Sequence, residues 1–479
     1  MDKLLLLVAA AVGAGALLYL FMRWERAGCE HWVVYLLLAV IVVDSTVYAN
    51  QTNEPRGLLH PGTGSLEFRL PEVIITLALV ARLVTKQRPL RAGIPALLWT
   101  SVAAWWTVEA VEGVIRHNSM VKLPYEAKAI VYVAGGFALL SGIPVRRFIE
   151  GRGIERLVRW SAVAATVLLL TAFSHHTYSF NIPLMPLVGF GQMGTDAATA
   201  FVIIGTIGLM LELAKEQRNR LTLLCIIPLA LSPFGADQRA VLLQIGATVT
   251  VLVIVALGST ARQRLRVKAS EVSLVAFATV GVVLAVSVVP AVTQGHSVTA
   301  PLTSTYQRTV SSVINSEAKV QSAQDRINEW NIAVSDAKQN IFLGQGLGFT
   351  YTYFDVGSNA YVTTDLTHNF TLDLWLRTGI IGVLLFLVAL VVSLVQGFTT
   401  WHLHPDRMVA VLALALCAVV IGLVAKGQVE SVLDNYRLAS LLGISLGMLR
   451  AAVTSAGGGV RDLRTQRDLL HYETAGTAL

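Results

Sequence analysis

The chain has 479 residues, of which 54% are hydrophobic and 14% charged, and its mean hydropathy is +0.62. A soluble protein carries charge on about a quarter of its residues, so composition excludes a water-soluble globular enzyme and points to a polytopic membrane protein. The net charge of +7 informs more by location than as a sum, and Cys29, Cys225 and Cys417 are too scattered for a disulfide framework or a metal site.

Apolar runs predict membrane spans over residues 3–22, 32–49, 70–85, 92–112, 127–144, 159–174, 197–214, 221–233, 239–258, 271–291, 372–396, 407–425 and 437–453. At roughly 17–25 residues per crossing, the expected fold is an all-α bundle of about 12–13 transmembrane helices. The first run has neither a strongly basic start nor an Ala-x-Ala-like site before Arg23-Trp24, so it reads as a retained span and not a signal peptide.

Basic clusters lie at Arg82 to Arg91, Arg146 to Arg159, Lys215 to Arg220, Arg262 to Lys268 and Arg461 to Arg467, each at or after the end of an odd-numbered span. The positive-inside rule therefore puts the tail in the cytoplasm and the N-terminus outside. It puts loops 50–69, 116–126, 175–196, 234–238, 292–371 and 426–436 on the extracytoplasmic face. The chain divides into N-terminal spans (1–232), central spans with an arginine motif (233–291), a long loop (292–371), C-terminal spans (372–453) and a basic tail (454–479). The tail is read as attracted to anionic lipid headgroups or, equally, as a solvated disordered segment.

The long loop carries the most chemistry. Val320, Ala323, Ile327, Trp330 and Val334 recur at helical spacing and predict an amphipathic helix with one apolar stripe, Arg326 at its edge. Gly344-Gln345-Gly346-Leu347-Gly348 follows, a turn that permits close backbone approach. His368-Asn369 precedes the next span, which contains Arg377, and Arg239 opens an earlier span at the same outer face. A cation at a span end is expected to face inward or to pair. Arginines and a histidine around one cavity suit an anion such as a diphosphate, because the guanidinium fork matches phosphate oxygens.

Other polar residues carry weaker signals. Glu109 and Glu112, one turn apart, read as a solvated helix end before a carboxylate pair; Asp44, inside a span, calls for a partner or a water-filled cavity. Glu430 and Asp434, with Arg437, are placed at the same outer mouth.

Arg326-x-x-x-Trp330, Gly344-x-Gly346-x-Gly348, His368-Asn369, a span with Gly379-x-x-Gly382 and the upstream Asp237-Gln238-Arg239-Ala240 together resemble the O-antigen ligase and polymerase superfamily, from about Pro233 to Ser440. The resemblance implies a GT-C-like membrane glycosyltransferase at the outer face of the bacterial cytoplasmic membrane. Such enzymes move a glycan from an undecaprenyl diphosphate carrier to an acceptor hydroxyl with inversion and without a metal or other cofactor. It assigns Arg239 and Arg326 to the diphosphate, His368 to the acceptor hydroxyl, and Asn369 to holding the loop end. Trp330 and Tyr361, with Tyr351 and Tyr353, become candidates for sugar stacking, and Gly346, Gly348 and Arg377 for further substrate contacts. The partners implied are the carrier-linked donor, a glycan or glycolipid acceptor and membrane lipids; nucleic acid is not among them. The extra first span and outside N-terminus differ from the twelve-span arrangement of the ligases: either the first segment is an addition or the topology differs by one crossing.

Plainer readings stand beside these. Arg326 alone on an amphipathic helix is as readily a solvated arginine, Arg239 an interfacial anchor, His368 a helix cap, and the aromatic residues packing or an interfacial belt. A lipid-linked glycan transporter or flippase is the alternative from another class; it would distribute charges through the depth of the spans.

Overall fold

The computed structural model describes residues 2–50, 69–85, 93–150, 153–178, 194–236, 239–256, 317–356, 358–433 and 435–455. The predicted span at 271–291, the loop before residue 317, Asp237-Gln238, Asp434 and the tail lie outside these residues. The protein is an all-α polytopic membrane protein.

Its helices are α1 (Asp2–Ala27), α2 (Trp32–Asn50), α3 (Leu70–Thr85), α4 (Ile94–Ile115), α5 (Leu123–Ala127), α6 (Gly136–Leu140), α7 (Val145–Glu150), α8 (Gly153–Tyr178), α9 (Thr195–Ala214), α10 (Arg220–Ala236), α11 (Arg239–Ala256), α12 (Glu317–Gln339), α13 (Phe370–Leu403), α14 (Arg407–Gly427) and α15 (Tyr436–Ser455). A π-helical turn at Val131–Gly135 joins α5 to α6 in one span.

Among the described residues six helices are long and apolar enough to cross a membrane, and the apolar stretches of α2, α10 and α11 are shorter. The predicted crossings at 3–22, 70–85 and 159–174 are also helical, as α1, α3 and α8. Position follows composition. In α9, 83% of the apolar window is buried, against 28% in α4, which presents Leu97, Val108 and Val111 outward. α14 packs at the centre through Ala410, Ala413, Ala415 and Ala418, whose small side chains let neighbouring backbones approach.

The long loop holds one element that sequence reading left out. Tyr351–Asp355 (β1) and Ala360–Thr364 (β2) form an antiparallel hairpin in which Tyr353 faces Val362 and Phe354 faces Tyr361. Alternating aromatic and threonine residues around Ser358-Asn359 were its signal, with Asn359 in the left-handed region that tight turns need.

Candidate active site where the loop meets the bundle

The buried face of α12 differs from the predicted stripe. Glu329, Ala333 and Ala337 point inward in register with Arg326, while Ile327 is 46% exposed. The reason is distance: α12 lies on Tyr351 of β1 and Leu376 of α13, and alanine permits that approach where larger side chains do not.

Glu329 is the residue this arrangement serves. Its carboxylate is almost fully enclosed and accepts the backbone N–H of His368 at 2.6 Å and the His368 ring at Nδ1, 2.8 Å away. The Tyr351 hydroxyl donates to the Leu366 carbonyl at 2.7 Å, so it closes over the same carboxylate while spending its proton elsewhere. In the neutral ring, with Nδ1–H donating to the carboxylate, Nε2 keeps its lone pair. The imidazole is 46% exposed, and Nε2 makes no hydrogen bond among the described residues. Glu329 lies outside the apolar stripe that the sequence predicts for this helix; the signal available was its position three residues after Arg326.

Arg326 and the His368-Asn369 pair converge on one short loop. Arg326 donates from Nη1 to the Val429 carbonyl at 2.8 Å, and Asn369 donates from Nδ2 to the preceding carbonyl, Gln428, at 3.2 Å. Asn369 also caps α13, accepting the Leu372 N–H at 2.9 Å. α11 runs antiparallel to α14, with Thr248 bonded to Ala418 and Gln244 beside Gly422. This register brings the start of α11, where Arg239 sits, level with the end of α14 and the Gln428–Val429 loop.

Behind that loop lies a buried ionic cluster. Arg437 bonds Asp44 at 2.6 Å and Asp196 at 3.2 Å, and Lys426 bonds Thr199 at 2.7 Å and Glu430 at 3.4 Å. Asp44 therefore has the partner its position called for. Arg437 is committed inside the protein and does not line an open mouth.

Two expectations change. The turn at 344–348 is wholly buried, and each of its five backbone N–H groups already has an acceptor: Asn340 O, Leu376 O, Arg377 O, Glu109 O and the Glu126 carboxylate in order. No donor remains for a phosphate, so Gly346 and Gly348 are packing glycines and not substrate contacts. Gly346 has φ +77° and abuts the Gly113 backbone. Gly346→Ala is expected to cost about 1–3 kcal/mol in backbone strain alone, visible as a lowered melting temperature of the detergent-solubilised protein.

Arg377 is likewise not open to a ligand. It is 2% exposed, paired with Asp373 at 2.8 Å and with Glu126, and it donates to the Asp365 carbonyl. It braces the site from within. Gly379, at φ +62°, breaks α13 two residues later, and the freed groups bond the loop: Ile380 N–H donates to Ile341 O, while Leu376 O and Arg377 O accept from the glycine turn. A broken helix is tolerated at membrane depth when protein satisfies its peptide groups.

Tyr361 is 78% exposed beside Phe354, and Trp330 is half-buried, its indole N–H without a hydrogen-bond partner among the described residues. Burial, with Glu329, Asp355 and Asp325 nearby, pushes the Tyr353 hydroxyl up and keeps it neutral. Glu112 pairs with Arg116, as a solvated helix end would. Glu109 does not fit that reading: it is fully buried, and neither carboxylate oxygen finds a hydrogen-bond partner among the described residues.

No curated protein matches the chain. The model of the O-antigen ligase family matches residues 201–387, a stretch that contains Arg239, Arg326, the glycine turn and His368-Asn369, and over that stretch the chain's resemblance to the O-antigen ligase and polymerase superfamily is shown.

Proposed function

We propose that the protein is a membrane glycosyltransferase of ligase or polymerase type, which moves a glycan from an undecaprenyl diphosphate carrier to an acceptor hydroxyl at the outer face of the cytoplasmic membrane. The observation that carries this reading is the Glu329–His368 pair held beside Arg326 at a junction otherwise sealed by packing. In the reaction, the acceptor oxygen attacks the anomeric carbon from the face opposite the diphosphate. The bond from that carbon to the diphosphate oxygen breaks, and the diphosphate leaves with the electron pair. The acceptor proton passes to Nε2 of His368, and Glu329 stabilises the imidazolium that forms. Arg326 and Arg239 offset the charge growing on the leaving diphosphate. Trp330 and Tyr361 offer apolar faces to sugar rings.

A transport route is favoured less. Among the described residues the buried ionisable groups of the spans gather towards their two ends: Asp44, Glu72, Glu109, Glu126, Asp196, Asp373, Arg377, Lys426 and Arg437 at the loop end, Glu25, Glu30, Arg82, Glu212 and His404 at the other. None of these marks a path through the middle.

The test is transfer by the purified chain in nanodiscs, from an undecaprenyl-diphosphate-linked oligosaccharide to candidate acceptors in excess chelator, followed by mass spectrometry. Transfer is expected to survive the chelator and to fall about 100-fold in Arg326→Ala, the loss typical of one transition-state donor. A product ladder identifies a polymerase and a single addition a ligase. Unchanged product in Arg326→Ala refutes the assignment.

A further inference from the structure

The end of the bundle opposite His368 holds a second constellation that the transferase reading leaves unused. α8 begins there, α9 ends there and α10 begins there. Between them is a bowl of about 650 Å³ lined by Arg156, Arg159, Arg218 and Arg220, with Glu155 as its one acidic wall. The nearby carboxylates are already engaged. Lys215 holds Glu155 at 2.5 Å and also pairs with Glu212, which in addition accepts the Asn219 N–H at 3.0 Å. Arg159 lies 3.8 Å from Glu155. Arg156 and Arg220 enter no ion pair among the described residues. Glu216 is exposed on the segment between α9 and α10.

An apolar groove of about 380 Å³ starts at the same place. It runs between α2, α8 and α9, lined by Trp32, Tyr35, Leu38, Leu157, Trp160 and Phe201, and Arg156 belongs to both its wall and the bowl's. Trp160 is 73% exposed and Trp32 44% exposed, so the groove opens sideways, where a membrane helix meets lipid.

We infer that this bowl and groove form a binding site for an anionic phospholipid, its phosphodiester among the arginines and one acyl chain along the groove. Charge complementarity selects the headgroup: guanidinium forks match phosphate oxygens, and basic pockets between spans at a membrane surface hold anionic headgroups. Continuity selects a lipid over a free anion, because the cationic bowl passes at Arg156 directly into apolar wall. The site does not depend on the transferase reading; it needs only the membrane bundle.

The experiment is native mass spectrometry of the full chain, released from micelles containing equal amounts of phosphatidylglycerol and phosphatidylcholine with the same acyl chains. Wild type is expected to retain phosphatidylglycerol preferentially. Arg156→Gln/Arg159→Gln is expected to lower that preference about thirtyfold, in keeping with two surface cations removed. Ala164→Trp, which fills the groove and leaves the arginines, is expected to lose the bound lipid. Excess inorganic phosphate is expected not to displace it. Gel filtration and melting temperature establish that each variant is folded, and Arg220→Gln replaces the double variant if that one is not. Equal retention of the two lipids by wild type overturns the proposal. So does displacement by phosphate, lipid retention unchanged in the Ala164→Trp protein, or stronger retention of a polyprenyl phosphate than of phosphatidylglycerol.

Discussion

Replacing His368 with alanine is expected to lower glycan transfer by about 10³-fold, and replacing Glu329 with glutamine by about 10²-fold, within the range that general acid–base groups supply. The geometry makes the second substitution informative. Glu329 receives both the backbone N–H and the ring Nδ1 of His368. Glutamine keeps an oxygen for the backbone N–H, but its amide can donate to Nδ1 and so moves the ring proton to Nε2, the atom that in the proposed reaction takes the acceptor's proton. It also removes the negative charge that stabilises the imidazolium. Fold and donor binding are therefore expected to survive Glu329→Gln while turnover falls and the acidic limb of the pH–rate profile shifts. Steady-state rates at varied donor concentration and pH check this. A Glu329→Gln enzyme with normal turnover, or one that loses donor binding and turnover together, sinks the pairing as a catalytic device.

What was legible in the sequence follows from how local each signal is. Spans are long apolar runs, and α3, α9 and α14 lie within two residues of where hydropathy placed them. Asn369 was legible because a cap sits beside its helix. The roles of Gly346, Gly348 and Arg377 were not, because their meaning depends on partners far away in the chain: Glu109 and Gly113 on α4, Glu126 on α5. A glycine turn reads alike in sequence whether its N–H groups face a phosphate or a neighbouring helix. Glu329 was hidden differently. A carboxylate on a polar helix face is ordinarily solvated, and only the hairpin that folds Tyr351 over it, with His368 arriving from beyond the hairpin, turns it into a buried acceptor. The apolar stripe misled for the same reason, since contact with α13 was made through alanines and not through the larger apolar residues.

Arg377→Met is expected to destabilise the protein by about 3–5 kcal/mol, the loss that follows when one partner of a buried ion pair is removed and the other stays. Two carboxylates would be stranded. Glu126 is held by Arg377 and by the Gly348 N–H at 2.6 Å, and Asp373 by Arg377 and the Ser431 hydroxyl at 3.2 Å. Because Arg377 also donates to the Asp365 carbonyl, it ties α5, the glycine turn, the end of the hairpin and the Ser431 loop to the broken segment of α13. Its loss should loosen the whole seat of His368 and not one contact. The expected signs are a large fall in melting temperature and new proteolytic cleavage around residues 340–350. Neutralising the stranded acids in Glu126→Gln/Asp373→Asn/Arg377→Met should recover part of that stability, since what is costly is the uncompensated charge. Arg377→Lys separates brace from ligand. A lysine keeps the charge and loses the fork that reaches Glu126, Asp373 and Asp365 together, so a brace predicts an intermediate melting temperature with activity falling in parallel. Full stability with selective loss of donor binding would instead return Arg377 to the substrate.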